Sequence, residues 1–284
     1  MNKKTYPIRM AIPGLLIYLI IFVIPTFASF YFSMTRWNLR TSEFTGLENY
    51  VTFFTMTSTK SALKNTAIYA SVCCLAKLIL GLLLARYVCS GVRSGNYLKI
   101  LIFFPTLLGN VVTATAFQSI LEPNGIVNQV LAVFGIPTVR FLTDKRLALA
   151  TCCVIDIWQG LGTATIIFIA GLSAIPRDYY EAASIDGARD FQVFRKITLP
   201  LMVPSINTVL TLSLIGGIRT YDLIYTLTGG GPGYATEVMG SVVYKLFSRG
   251  SYGLATTGNV IIFVIVSVIV FPLNAFVSRW EEQL

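Results

Sequence analysis

The chain has 284 residues, 55% of them hydrophobic and only 12% charged, with a mean hydropathy of +0.70 and a formal charge of +9. That composition excludes a water-soluble globular surface and places the chain in a bilayer. With no histidine at all, Ser-His and Cys-His nucleophilic chemistry is excluded; no basic cluster is dense enough for nucleic acid, and the positive excess suits anionic lipid headgroups.

A hydrocarbon core of about 30 Å needs about 20 mostly apolar helical residues. Six runs meet that need, so the predicted fold is an all-α membrane protein, one transmembrane domain over 1–284, with spans at 10–34, 65–85, 100–121, 147–175, 202–227 and 254–277. Lys3, Lys4 and Arg9 precede the first run as they would in a secretion signal. The run is longer than a signal core and ends in Met34-Thr35-Arg36-Trp37 without a small-x-small cleavage pattern, so it is read as a retained span.

Outside the first span, Phe44-Thr45-Gly46-Leu47-Glu48-Asn49-Tyr50 predicts a turn opening a short amphipathic helix through Phe53 and Phe54. The second span holds Lys77, whose long stem can snorkel to an interface. The third has no ionisable side chain and carries Asn110, Thr113 and Gln118 on one face. After it, Pro123-Asn124-Gly125 leads into Ile126, Val127, Val130, Leu131 and Phe134 at helical spacing, closed by Gly135-Ile136-Pro137, a second outer helix that acts as a lid or lies at the interface. Asp156, Gln159 and Thr163 share a face of the fourth span, and Asn207, Thr211, Arg219 and Asp222 mark the fifth.

Charges inside a membrane cost about 2.5 to 3.5 kcal/mol each on insertion scales, which makes them functional candidates. Polar side chains also glue helices together, and Arg219 and Asp222, three residues apart, are placed for an intrahelical ion pair. The five cysteines, Cys73, Cys74, Cys89, Cys152 and Cys153, lie in or beside spans. Adjacent ones point about 100° apart on a helix, cannot share a metal, and read as small apolar fillers.

Between the fourth and fifth spans lies a polar insert. Pro176 suits a helix start, Asp178 and Glu181 favour its N-terminal end, and Gly187 is a left-handed stop, predicting a helix over 176–186. A second helix begins near Asp190, carries Phe191, Phe194 and Ile197 on one face with Arg195 and Lys196 in its last turn, and ends at Pro200. Small Ala182 and Ala183 allow close approach of a partner backbone, and Tyr179, Tyr180 and Ile185 offer apolar anchors. These residues describe either a knob for a protein socket or an interfacial helix resting on headgroups.

The arrangement Glu181-Ala182-Ala183, three residues, Gly187, nine residues, Ile197-x-Leu199-Pro200 resembles the coupling-loop motif (the EAA motif) of permease subunits of bacterial ATP-binding-cassette importers. Ser184-Ile185-Asp186-Gly187-Ala188 is similar to the subgroup that imports oligosaccharides, other carbohydrates and glycerol phosphate compounds. The stretch from Tyr221 to Gly233 and the outer loop from Phe44 to Tyr50 resemble the same maltose-permease-like subgroup, across nearly the full chain. Subgroup members with extra N-terminal spans and a large outer domain differ from this chain, so their outer-loop docking is not carried over.

The resemblance implies a type I importer permease with a coupling helix, working with a second homologous permease, two ATP-binding subunits and an extracytoplasmic sugar-binding protein. ATPase docking falls on Tyr180, Glu181, Ala182, Ala183, Ser184, Asp186, Gly187, Ile197, Leu199 and Pro200. The substrate pathway falls on the polar faces: Asn110, Thr113, Asp156, Gln159, Thr163 and Asp222, with Trp158, Tyr221 and Tyr225 as stacking surfaces, since sugars need hydrogen-bonding groups beside aromatic rings.

No cofactor is expected in this chain. Gly229-Gly230-Gly231 is followed by Pro232-Gly233 and no lysine, so it is no phosphate cradle but a turn, and ATP with its magnesium belongs to a partner ATPase. Tyr221-Asp222 resembles one signature of intramembrane aspartyl proteases, but Gly160-Leu161-Gly162 is followed by Thr163 where the other signature needs aspartate. A stand-alone proton-coupled transporter using Asp156 and Asp222 is the alternative, and it leaves the Glu181 motif without a role.

The expected location is the cytoplasmic membrane of a bacterium, multi-pass, with both termini in the cytoplasm. That orientation puts Lys3, Lys4, Arg9, Arg86, Arg93, Lys99, Arg177, Arg189, Arg195, Lys196 and Arg279 inside. Nine others lie outside, from Arg36 to Arg249, and Lys77 and Arg219 fall within spans, a small inward excess of basic residues.

Overall fold

The computed structural model describes residues 11–91 and 94–281. Lys3, Lys4, Arg9 and Arg93, together with residue 10 at the start of the first expected span, lie outside the described residues. Among the described residues four helices are long and apolar enough to cross a membrane, and two bent helix pairs bring the number to six when each pair is taken as one span.

The first span is α1, Ile12–Ser33, whose middle turn, Leu19–Val23, widens to a π-helix just before Pro25. Proline has no N–H to donate to the ladder, and the wider turn absorbs the missing bond. A small antiparallel hairpin of β1 (Thr35–Trp37) and β2 (Ser42–Phe44) follows, an element the sequence reading did not anticipate. Then comes α2, Glu48–Thr55, the expected outer helix, with Phe53 fully buried. Asn49 fastens it by donating to the carbonyls of Ser33 (2.9 Å) and Thr35 (2.8 Å).

The second span is part of α3, Thr57–Cys89. Its 33 residues extend about 50 Å at 1.5 Å per residue, well beyond a hydrocarbon core. The expected 65–85 covered only the apolar middle; nothing in Thr57-Ser58-Thr59-Lys60-Ser61 breaks a helix, so the polar turns continue it.

The third span departs most from expectation. It comprises α4, Gly95–Phe103, with a 3-10 turn at Phe104–Leu107, then α5, Asn110–Leu121, and the outer helix α6, Ile126–Val133. The direction changes by 97° between its two parts. The apolar run 100–121 reads as one straight helix, yet Pro105 tightens the chain into the 3-10 turn and Leu108 (φ −77°, ψ 136°) and Gly109 (φ −67°, ψ 146°) are extended. Hydropathy does not see such a break.

The fourth span, α7 (Ala148–Ala174), runs directly into the coupling insert, α8 (Arg177–Ile185) and α9 (Asp190–Leu201). The fifth is α10, Val203–Arg219, continued after a break by α11, Asp222–Thr228. Pro200 does not end its helix as the sequence suggested. A π-helical stretch at Phe194–Thr198 accommodates it, and the chain turns by 64° only after Leu201, at Met202. Beyond the glycine-rich turn, α12 (Met239–Ser248) is a helix the sequence reading missed, and α13 (Tyr252–Glu281) is the sixth span.

α3 is the central post, packed against both α7 and α10. Gly217 permits the second contact: a Cβ there would lie 2.8 Å from Ala70 Cα, so any side chain would push α10 off α3. Three buried clusters stack along the bundle. Phe168, Met202, Val209 and Ala85 fill the end nearest α8; Tyr69, Cys73, Cys152 and Ile155 fill the middle with Leu223; Phe53, Met239 and Val242 fill the far end with Ala255. Four of the five cysteines are thus buried fillers, while Cys89 is exposed.

Candidate functional site

At one end of the bundle stands the insert. Pro176, extended at ψ 141°, starts α8, and Asp178 sits in its first turn, where a carboxylate suits the positive end of the helix. Gly187 has φ +69° and closes the helix: its N–H donates to the Ser184 carbonyl (3.1 Å) and the Ala188 N–H to that of Ala183 (2.9 Å). That pair of bonds is a Schellman cap, which residues with a Cβ adopt only at a cost. Two residues later the Gln192 side chain accepts from the Arg189 N–H (2.9 Å), opening α9.

The helix boundaries lie one residue inside those expected at each end, and its faces divide sharply. Tyr180 turns inward, sharing a hydrogen bond with Thr198 at 3.3 Å and packing beside the Phe168 and Met202 cluster. Ala183 is buried too, beside the hollow between α8 and α9. Tyr179 and Ile185 point outward, 51% and 86% exposed, and Glu181, Ala182, Ser184, Asp186 and Gly187 are exposed with them. An open hollow of about 980 Å³ separates α8 from α9, lined by Tyr179, Ala182, Asp186, Lys196 and Ile197. Leu199 is exposed and Pro200 half-buried, both inside α9.

Along the bundle, α3, α7 and α10 wall an open cavity of about 460 Å³. Lys77, Asn110, Asp156, Thr163, Arg219, Tyr221 and Asp222 line it, so five of the expected pathway residues, Asn110, Asp156, Thr163, Tyr221 and Asp222, meet at one place. Lys77 does not snorkel away. Its ammonium donates to Asp156 Oδ2 at 2.7 Å, with the two side chains 13% and 23% exposed. Gly160, one helical turn beyond Asp156, leaves the space for it: a Cβ there would sit 2.6 Å from Lys77 Cε. Pairing two charges in a weakly hydrated interior lowers the cost each would carry alone.

Arg219 and Asp222 form no intrahelical pair. The chain leaves helical geometry between them, at Thr220 (ψ 139°) and Tyr221 (φ −150°). Asp222 instead starts α11, accepting from its neighbour's N–H at Leu223 (3.0 Å) and from Asn110 Nδ2 (2.8 Å). Arg219 has no ion-pair partner among the described residues.

Three expected pathway residues are placed elsewhere, and a fourth, Gln159, lines a smaller adjoining hollow with Asn110 and Asp156. Trp158 packs edge-on against Phe117 at 5.1 Å, and Tyr225 against Tyr244 at 4.8 Å. Thr113 is buried. Gln159 is buried and ties down the break in the third span, donating to the Leu108 carbonyl at 2.7 Å, while its own carbonyl accepts from Thr106 at 2.8 Å. Helical spacing put these side chains on the right elements but could not say which neighbour each would meet.

The sequence reading also missed a buried carboxylate. Glu237, 1% exposed, pairs with Lys245 and accepts from Ser241 Oγ at 2.8 Å. Asn65 of α3 donates to the carbonyls of Tyr234 (3.0 Å) and Glu237 (2.9 Å), pinning the loop after the glycine run. The available signal was a lone acid, Glu237, just ahead of an apolar helix that carries Lys245. Among the described residues no group of three or more cysteines or carboxylates could hold a metal ion.

Residues 77–284 match the family described as the inner-membrane component of binding-protein-dependent transport systems. The chain is 30% identical over 260 residues to the trehalose/maltose transport system permease protein MalF of Thermococcus litoralis, covering 90% of this chain and 88% of that one. It is 29% identical over 269 residues to the multiple sugar-binding transport system permease protein MsmF of Streptococcus mutans, covering 90% and 89%. A bacterial ABC transporter involved in import of the acidic polysaccharide alginate contains a chain that superposes with a TM-score of 0.84 at 26% identity, covering 95% of this chain and 94% of that one. The chain belongs to the family of inner-membrane components of binding-protein-dependent transport systems: it is the multi-pass permease subunit of an ABC importer, a transport component and not an enzyme.

Proposed function

We propose that the chain forms half of the translocation pathway of a carbohydrate importer and that α8 transmits the force of ATP binding to it. One observation carries this reading: the two helices that flank the insert, α7 and α10, are also two of the three that wall the charged cavity. A displacement of α8 therefore acts on the cavity without an intermediary. Tyr180, bonded to Thr198 across the insert, makes α8 and α9 move together. The exposed face from Glu181 to Gly187 is the docking surface, with Ile197, Leu199 and Pro200 as its support.

The cavity suits a polyhydroxylated substrate. Asp156 and Asp222 present carboxylate acceptors, Asn110, Thr163 and Arg219 add donors, and Tyr221 offers a ring face. Relatives named for trehalose, maltose, multiple sugars and alginate support that substrate class. A proton relay through Asp156 and Asp222 fits less well, since the first carboxylate is paired with Lys77 and the second is capped by Asn110.

The assembly is a second homologous permease, two ATPase subunits that bind ATP and magnesium, and an extracytoplasmic sugar-binding protein; a solved relative in complex with an alginate pentasaccharide-bound periplasmic protein supports the last. Alternating access follows: closure of the ATPases draws the α8 ends together and opens the cavity outward. The chain sits in the bacterial cytoplasmic membrane with α8 and both termini inside.

Purification of the tagged chain from native membranes tests this. An ATPase and a second permease are expected to accompany it; a lone oligomer whose uptake runs on a proton gradient would overturn the reading. Exposed Cys89, near the α8 end, tests orientation: an impermeant maleimide is expected to label it in inverted vesicles and not in right-side-out ones.

A further inference from the structure

A second cavity, of about 760 Å³, lies behind the coupling insert; the mechanism above uses the Tyr180–Thr198 bond on its wall but assigns it no ligand. It opens where the end of α3, the start of α4 and the end of α7 meet α8 and α9. Three cations line it, Arg86, Lys99 and Arg177, against one acid, Asp190. Neither Lys99 nor Arg177 has an ion-pair partner among the described residues. Arg86 is held over the Phe194 ring at 4.8 Å, which fixes its guanidinium while leaving its donors free.

The remaining wall is split by polarity. Tyr180 and Thr198, bonded to each other, line it on the insert side, while Ile169 and Leu172 of α7 supply an apolar flank continuous with a membrane span. A small inorganic anion would use the cations and leave the apolar flank idle. An amphiphile with a phosphate head and acyl chains satisfies both, and basic pockets between spans are where anionic headgroups bind.

We propose that this cavity binds the phosphate headgroup of an anionic phospholipid, with Arg86 and Lys99 holding it from the spans and Arg177 from the coupling helix. A headgroup so placed ties α8 to the ends of α3 and α4. The lipid then stiffens the joint through which α8 moves the bundle, so stimulated ATP hydrolysis by the assembled importer depends on anionic lipid.

Native mass spectrometry of the detergent-purified importer, titrated with phosphatidylglycerol or phosphatidylcholine of the same chains, tests the site without any variant. Selective retention of phosphatidylglycerol is expected; equal retention of the two lipids overturns the proposal. Lys99→Gln and Arg177→Gln are each expected to cut that retention about fivefold, the weight of one cation near a headgroup. Lys60→Gln, at the opposite end of α3, is expected to leave it unchanged. Unchanged retention in both cavity variants overturns the assignment. Inorganic phosphate at millimolar concentration is the last arm: failure to displace the lipid supports a lipid site, and displacement with phosphate bound in its place shows a free-anion site and overturns the lipid proposal.

Discussion

The coupling insert and the charged cavity are built by opposite means. The insert is one contiguous stretch whose shape is set within itself: Gly187 and Ala188 bond back to Ser184 and Ala183, Gln192 caps Arg189, and Tyr180 reaches Thr198. The cavity takes Lys77, Asn110, Asp156 and Asp222 from four separate parts of the chain, and each finds its partner only after the bundle has closed. The surface proposed for ATPase docking is coded locally and held outward. The cavity proposed as the path is coded at long range, with Lys77 and Asp156 compensated across two helices.

The sharpest way to break this contrast is at Gly187. A Cβ there meets nothing within 4 Å, so Gly187→Val creates no clash, but its φ of +69° is one a β-branched residue takes only at a cost of order 1 to 2 kcal/mol. The cap reshapes while the bundle stands. Uptake and stimulated ATPase are expected to fall more than about tenfold, because a misplaced docking surface removes coupling altogether, with membrane levels unchanged on immunoblots. Glu181→Lys, on the exposed face, is expected to do the same by reversing charge. Normal transport in either variant would end the assignment of this segment.

The cavity is expected to fail differently, through stability as much as transport. Lys77→Met leaves the Asp156 carboxylate unpaired between α3 and α7, and removing one partner of a fully buried pair costs about 3 to 5 kcal/mol; partial hydration here reduces that to about 2. Asp156→Asn should recover much of the loss in the double variant, giving a coupling energy of about 1 to 2 kcal/mol in thermal unfolding in detergent. Additive losses would show that the two side chains act independently.

These differences explain what could be read from the sequence. Local signals were legible: the αL glycine, the outer helices at Glu48–Thr55 and Ile126–Val133, and the spans with continuous apolar runs. The breaks at Leu108–Gly109 and Thr220–Tyr221 were not, because both lie in runs that hydropathy treats as continuous and both are held by tertiary bonds, Gln159 to Leu108 and Asn110 to Asp222. Lys77 looked uninformative because its partner is 79 residues away. The same limit hid Glu237, whose role rests on Asn65 and Lys245.

Glu237 gives an intermediate test, outside both the insert and the cavity lining. Glu237→Gln keeps an acceptor for Ser241 but removes the charge facing Lys245, which is 28% exposed and can turn toward solvent. A loss of about 1 to 2 kcal/mol in unfolding is expected, smaller than for an ion whose partner has no escape. If ATPase stimulation runs through α8 as proposed, coupling should be untouched; a variant that unfolds normally yet loses stimulation would link the outer loop to the coupling end.

The smallest effect is expected at Asn110. Its side chain is exposed to the cavity, and its bond to Asp222 Oδ2 competes with water, so Asn110→Ala should change stability by no more than about 0.5 kcal/mol. The bond nevertheless spans the two breaks, joining the start of α5 to the start of α11. Asn110 also lines the proposed site as a donor to a substrate hydroxyl, so its loss should raise the half-saturation concentration for uptake and leave the maximal rate nearly unchanged. A fall in maximal rate alone would instead place Asn110 among the parts that move, and the separation between gripped surface and charged path would be less complete than their geometry suggests.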